Sequence, residues 1–294
     1  MPRNIDLHIH SYASNDGDIS PEAIVDKALA LGLSAIAITD HNTVAGTLRA
    51  ERYMAENEIT AMELIPGIEL DCRYEGTNLH LLGYYIDAGM NQFVQHERYM
   101  RDIELVAGIE MKAKIESFFG VAIDIESLKE RVITGEAIAE ELLQNEKYNN
   151  LRELEPYRKG GERSDNPYVN FYWDYCSQNK VAYSEMKLID LVLAIEMIER
   201  AGGIPVLAHP GINIHENAEL LNRIMREGVR GIEAISSYHT KDQIEFYRRA
   251  AEKPAIAVTC GSDFHGKTKP SIKMGIFDAE FDAGELLAAL KIMI

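Results

Sequence analysis

The sequence predicts an α/β protein built around a barrel of the (β/α) type, closed or nearly so, with a helical segment inserted into it. Three observations lead there. Short apolar strand segments alternate with amphipathic helical ones at both ends of the 294-residue chain, which is the signature of a mostly parallel sheet. Between them lies a stretch of about a hundred residues with a different texture, far longer than the 2–6 residues usual for a connection between a strand and a helix. One strand segment after another carries a histidine or an acid at or near one end, as expected where strand ends share one functional face.

The elements follow in order. Ile5 to His10 alternates apolar and polar residues, a strand pattern. Ser20-Pro21-Glu22 is a helix start, with a capping serine, proline at the first helical position and an acid in the first turn; the helix runs to Leu31, and Gly32 ends it. Ser34 to Thr39 is a short buried strand, followed by a helix from Val44 to Asn57. Glu63 to Leu70 and Asn78 to Tyr85 are strands joined by a turn at Glu75-Gly76. From Asp87 to Met186 the chain is rich in charge and helical: His96 to Phe119, Ile125 to Arg131 and Gly135 to Glu146, then a polar, aromatic region containing Tyr148, Tyr157, Tyr168, Phe171, Tyr172, Trp173 and Tyr175. The alternation resumes with a helix (Leu188 to Ala201), a strand (Ile204 to Ala208), a helix (Ala218 to Glu227), a strand (Gly231 to Ser236), a helix (Lys241 to Glu252) and a strand (Ala255 to Cys260). A short strand at Met274 to Phe277 and a helix at Gly284 to Met293 close the list.

Composition excludes several classes. Hydrophobic residues make up 46% and charged residues 26%, as in ordinary globular proteins. No apolar run approaches the roughly 18 residues of a membrane span, and the segment before Ile5 lacks the apolar stretch of a signal peptide. Cys72, Cys176 and Cys260 are too few and too scattered for a disulfide framework. These features point to the cytoplasm. A net charge of −17 argues against a general nucleic-acid surface, which is basic, although bound cations reverse the sign locally.

The chemistry-bearing residues cluster by segment: His8 and His10, with Asp16 just beyond; Asp40 and His41; Glu69; His80; His209; His239; Asp263 and His265. Residues two apart on a strand leave the same face, so His8 with His10, and Asp263 with His265, are paired donors. Mixed imidazole and carboxylate ligands suit Zn, Mn or Fe in a catalytic site. The set exceeds what one ion needs, so two or three divalent ions are expected, with Glu69 able to bridge. Asp16 also suits a plain turn role at Asp16-Gly17, and His239 a surface role. His96 and His215 are read as non-ligands.

The segments Asp6-Leu7-His8-Ile9-His10-Ser11, Thr39-Asp40-His41, Gly67-Ile68-Glu69, His80, Ala208-His209-Pro210 and Gly261-Ser262-Asp263-Phe264-His265 together resemble the PHP (polymerase and histidinol phosphatase) superfamily of metal-dependent phosphoesterases. The resemblance implies a distorted, TIM-like (β/α)7 barrel over residues 1–86 and 187–294, with 87–186 as a substrate-covering insertion. It implies a trinuclear centre: His8, His10, Glu69 and Asp263 at one ion, Glu69, His80 and His209 at a second, Asp16, His41 and His265 at a third. Asp40 would support a ligand or orient the attacking water.

The order of these segments is similar to the branch of nucleoside 3′,5′-bisphosphate phosphatases and 5′-3′ exoribonucleases. That branch often carries Arg-Pro-His in the insertion, then a lysine before Tyr-Val. Here the matching stretches read Arg163-Ser164-Asp165-Asn166-Pro167-Tyr168 and Lys180-Val181-Ala182-Tyr183, without the histidine. Arg163 and Lys180 are therefore the expected phosphate contacts. A metal-activated hydroxide would attack phosphorus, with His239 protonating the leaving group. The insertion's aromatic residues would either stack on a base or pack a core. Three competing readings share parts of this pattern: a histidinol-phosphate-type phosphatase, an amidohydrolase, which would want a lysine bridging the metals, and a non-catalytic phosphate or metal-binding module.

Overall fold

The computed structural model describes residues 4–124, 132–252 and 256–294. The expected helical stretch Ile125 to Arg131 lies outside them. Seven strands form one sheet in the order β1 (Asn4–Ile9), β2 (Leu33–Ile38), β3 (Glu63–Tyr74), β4 (Thr77–Tyr84), β6 (Ile204–Leu207), β7 (Gly231–Ser236) and β8 (Ala257–Gly261), while the two-residue β5 (Ile189–Asp190) pairs with β3. Backbone contacts between the segment after β8 and β1 bring the sheet nearly to closure. Asp263 N donates to His8 O at 2.8 Å and His10 N to Phe264 O at 2.9 Å. The result is a mixed sheet almost closed into a TIM-like barrel.

The β1–β2, β2–β3, β6–β7 and β7–β8 pairs are parallel, but β4 runs antiparallel to both neighbours. The cause is local. Glu75 and Gly76 both adopt positive φ, the requirement of a two-residue hairpin turn. The hairpin is longer than the sequence suggests, and β3 extends to Tyr74. It sets Asp71 opposite His80. The segment expected as a last strand, Met274 to Phe277, is instead a turn region, where Gly275 N donates to the buried Asp6 carboxylate.

Helices α1 (Pro21–Ala30) and α2 (Ala45–Glu56) flank the first strands. Ser20 caps α1 by accepting from Ala23 N, as its sequence predicts. Helices α3 (Asn91–Phe119), α4 (Gly135–Gln144) and the short α5 (Pro167–Phe171), which continues into a wide turn over Tyr172–Cys176, lie between β4 and β5. Among the described residues this stretch has its own apolar cluster, including Met111, Ile115, Ile138, Leu142, Tyr148, Leu154 and Phe171. Most of its aromatic residues therefore pack a core. Helices α6 (Leu191–Arg200), α7 (Pro210–Asn213), α8 (Ala218–Arg226), α9 (Lys241–Ala250) and α10 (Ala283–Lys291) complete the outer layer. No helix among the described residues is long and apolar enough to cross a membrane.

Candidate metal centre

All nine expected ligands meet at one end of the barrel. The Nε2 atoms of His8 and His10 lie 3.0 Å apart. Both face Glu69 Oε2, at 3.0 and 3.1 Å, and Asp263 Oδ1, at 3.4 and 3.1 Å. The other Glu69 oxygen faces His80 Nδ1 at 3.1 Å and His209 Nε2 at 3.2 Å. A third group contains Asp16, whose Oδ2 lies 2.9 Å from His265 Nε2 and 3.9 Å from His41 Nε2. His10 joins it by stacking on His265, with ring centroids 4.0 Å apart.

The hydrogen-bond network decides what these close approaches mean. His8 Nδ1 meets Glu233 Oε1 at 2.9 Å, His41 Nδ1 meets Asp71 Oδ1 at 3.0 Å, His209 Nδ1 meets Asn213 Oδ1 at 3.0 Å and His265 Nδ1 meets the Asp263 carbonyl at 2.9 Å. Each partner is an acceptor, so each of these imidazoles carries a proton on Nδ1 and, as a neutral ring, presents a lone pair at Nε2. His10 follows by one more step. Ser14 Oγ donates to Asp40 Oδ1 at 3.0 Å, so it must accept from His10 Nδ1, also at 3.0 Å.

With the rings neutral, the 3.0 Å contact between His8 and His10 opposes two lone pairs, as does the 2.9 Å contact between His265 and Asp16. Asp16 Oδ1, His80 Nδ1 and His265 Nε2 are buried without a hydrogen bond. Donor atoms crowded in this way repel unless a cation sits among them. Separations of about 3.0–3.4 Å are those between neighbouring ligands of an ion bonded at about 2.0–2.2 Å. The donor set thus fits divalent metal ions.

Charge gives the same answer. Five carboxylates touch the ligand imidazoles: Asp16, Glu69, Asp71, Glu233 and Asp263. Lys269, which reaches Asp263 at 2.6 Å, is the one lysine or arginine in contact with them among the described residues. Proton affinities record the strain. Burial by itself lowers the His8 pKa, yet Glu69, Glu233 and Asp263 reverse this and hold it well above the usual value. Burial raises the Glu69 pKa, but His8, His41 and His80 outweigh it and keep that carboxyl well below its ordinary range. Burial likewise opposes ionisation of Asp71, and His41 and His80 still bring its pKa down to about 2.

Backbone strain accompanies the site. His209 and Asp263 both take positive φ, 22° and 57°, a conformation that L residues avoid unless their surroundings hold them in it. Gly261 allows the closest approach, because a Cβ there would stand 2.1 Å from His8 Cβ and 2.2 Å from Glu233 Oε1.

Three expected roles need correction or restriction. Asp40 does not face the ligand cluster. It is buried and accepts from Ser11 N at 2.6 Å, Ser11 Oγ at 2.7 Å and Ser14 Oγ, so it acts through Ser14 by setting the His10 proton. His239 has no proton to give at Nε2, which accepts from Gly211 N at 2.9 Å, while Nδ1 donates to Ala234 O at 2.9 Å. Burial also depresses its pKa. It is a packed structural residue, not a general acid. Replacing His239 with alanine should lower the melting temperature through lost buried hydrogen bonds, about 1–3 kcal/mol for the orphaned group. Turnover per folded molecule should stay within a few-fold; a hundredfold loss of kcat at unchanged stability would restore the acid role. Arg163 is engaged elsewhere, with Nε and Nη2 each 2.9 Å from the Asp174 carboxylate. Of the two expected phosphate contacts only Lys180 lines the cleft beside the cluster.

Asp71, Glu233, Tyr238 and Lys269 belong to the site and escape a motif reading. The first two left a signal. Asp71 is two residues beyond Glu69 on one strand, hence on the same face, and Glu233 is a fully buried acid flanked by Ile232 and Ala234 in strand β7.

The chain resembles known proteins over most of its length. The PHP domain family matches residues 6–237. A 5′-3′ exoribonuclease of Haemophilus influenzae is 30% identical over 275 residues, covering 90% of this chain and 91% of that protein. A 3′,5′-nucleoside bisphosphate phosphatase of Chromobacterium violaceum is 26% identical over 271 residues, covering 89% and 87%. The solved structure of a Bifidobacterium adolescentis protein, assigned as a metal-dependent phosphoesterase, superposes with a TM-score of 0.75 at 25% identity, over 98% of this chain and 97% of that one. The strand-end ligands, the nearly closed barrel and this match over most of the chain lead to one conclusion: the chain belongs to the PHP domain family of metal-dependent phosphoesterases.

Proposed function

We propose that this phosphoesterase hydrolyses a phosphate ester of a nucleotide, either a 3′,5′-bisphosphate or a short 5′-phosphorylated oligonucleotide. One observation carries the proposal: the ligand cluster opens into a cleft of about 600 Å³ that combines ligand residues with Trp173, Tyr172 and Lys180. Trp173 packs edge-on against Tyr238, with centroids 5.7 Å apart, and so stands beside the cluster where a base could lie against it. The names of the exoribonuclease and bisphosphate phosphatase relatives support the same substrate class. The residues 87–186 would then act as the insertion that covers the substrate, and the five carboxylates against one lysine favour at least two divalent ions.

His8, His10, Glu69 and Asp263 would hold one ion, Glu69, His80 and His209 a second, and Asp16, His41 and His265 a third, as their separations suit. Bound divalent ions supply Lewis acidity that makes hydroxide available near neutral pH and neutralises phosphoryl oxygens. The protein's own part is positional. Glu233, Asp71, Asn213 and Ser14 fix the imidazole tautomers, and Lys180 offers a cation to a second phosphate group.

The test is phosphate release by the purified protein with Mn²⁺, with metal content read by mass spectrometry. The substrate panel holds 3′,5′-bisphosphates, 5′-phosphorylated oligonucleotides, mononucleotides and histidinol phosphate. Chelation should abolish release and Mn²⁺ should restore it. Preference for histidinol phosphate would overturn the nucleotide assignment, and metal binding without turnover on any ester would overturn catalysis.

A further inference from the structure

Lys269 has no place in the ligand set, yet it is built into the centre. The loop that carries it is tied on both sides. Thr268 Oγ1 donates to Asp16 O at 2.6 Å, and Ser271 N donates to Asn166 Oδ1 at 3.0 Å. The side chain is 9% exposed and crosses the face of Tyr238, with Nζ 5.4 Å from the ring centroid. It ends 2.6 Å from Asp263 Oδ2, the oxygen to which Tyr238 Oη also donates, at 2.5 Å. The other oxygen, Oδ1, is the one that faces His8 and His10. Asp263 thus divides its two oxygens, one toward the ligand imidazoles and one toward Lys269 and Tyr238.

An ammonium has three donors. Among the described residues Asp263 is the one hydrogen-bond partner of Nζ, so two donors remain. Lys269 borders both the wide cleft and the narrower, more apolar slot beneath α3. Among the described residues Lys180 is the only other lysine or arginine lining either. Arg163 is held by Asp174. A buried lysine kept in place by a carboxylate, with free donors beside a multi-acid cluster, has the chemistry of a phosphate ligand: a fixed charge that needs no reorganisation when the anion arrives.

We propose that Lys269 binds a non-bridging oxygen of the phosphoryl group undergoing hydrolysis, anchored by Asp263 and held by the Tyr238 ring. This rests on the phosphoesterase reading above, and the test separates the two. Inorganic phosphate is titrated calorimetrically into Mn²⁺-loaded wild type, Lys269→Met and Lys269→Arg, with metal per chain measured on each and turnover measured alongside. The expected result is about tenfold or greater weakening of phosphate binding in Lys269→Met, partial recovery in Lys269→Arg, and unchanged metal content. Turnover should fall in parallel. Phosphate affinity within twofold of wild type at full metal content would overturn the assignment, as would loss of metal in both variants, which would make Lys269 a support for Asp263 alone. Absence of turnover in wild type would count against the phosphoesterase reading and leave the phosphate titration intact as a test of Lys269.

Discussion

Replacing Glu69 with glutamine is expected to lower phosphate-ester hydrolysis on the order of 10³-fold and to remove at least one metal ion per chain. Both carboxylate oxygens are engaged by different donors. Oε2 faces His8, His10 and, at 3.4 Å, His41 Nδ1, while Oε1 faces His80 and His209. Glutamine keeps one acceptor and turns the other into an amide that donates. Whichever way it is oriented, one half of the cluster meets a hydrogen-bearing nitrogen where it needs an anion. The side chain is fully buried, so water cannot fill the role. Metal content by mass spectrometry and kcat on the preferred ester check this together. A variant with full metal content and wild-type turnover would show that Glu69 does not bridge.

Replacing Glu233 with glutamine is the second large effect, and it reaches the centre without removing a ligand. Glu233 Oε1 accepts from His8 Nδ1, and Oε2 accepts from His209 N at 2.8 Å, so one buried carboxylate orients donors from two of the three groups. Partners of this kind are worth about 10–100-fold in metal affinity or activity. We expect Mn²⁺ to bind about that much more weakly, and activity to return at high Mn²⁺ because the ligands themselves remain. An Mn²⁺ titration of activity reads the shift directly. If the half-saturating Mn²⁺ concentration is unchanged, Glu233 serves only to hold β7 against β1.

Much of the centre was legible in sequence for one physical reason. In a barrel of alternating strands and helices the strand ends gather on one face, so a ligand type at the end of each strand segment is a statement about proximity. His8, His10, His41, Glu69, His209, Asp263 and His265 could be grouped on that rule alone, and the inserted stretch stood out by its length and texture. The rule speaks only of side chains at strand ends. It does not say which way a strand runs. The reversal of β4 at Glu75-Gly76, which sets His80 against Asp71, came from turn geometry combined with pairing.

Partner choice was decided by tertiary structure. Arg163 and Lys180 look alike in sequence, but one lies within reach of Asp174 and the other lines the cleft. His239 follows a strand as the ligands do, yet the tight approach of Gly211 consumes its Nε2. Lys269 carries no motif, and a loop after β8 delivers it to Asp263. Sequence by itself determined the candidate ligand types and their strand-end placement, because both are properties of local pattern. Only the folded chain decided which proton each imidazole carries, which acids support the ligands and which cation faces the cleft, because a hydrogen bond depends on the few ångströms between residues far apart along the chain.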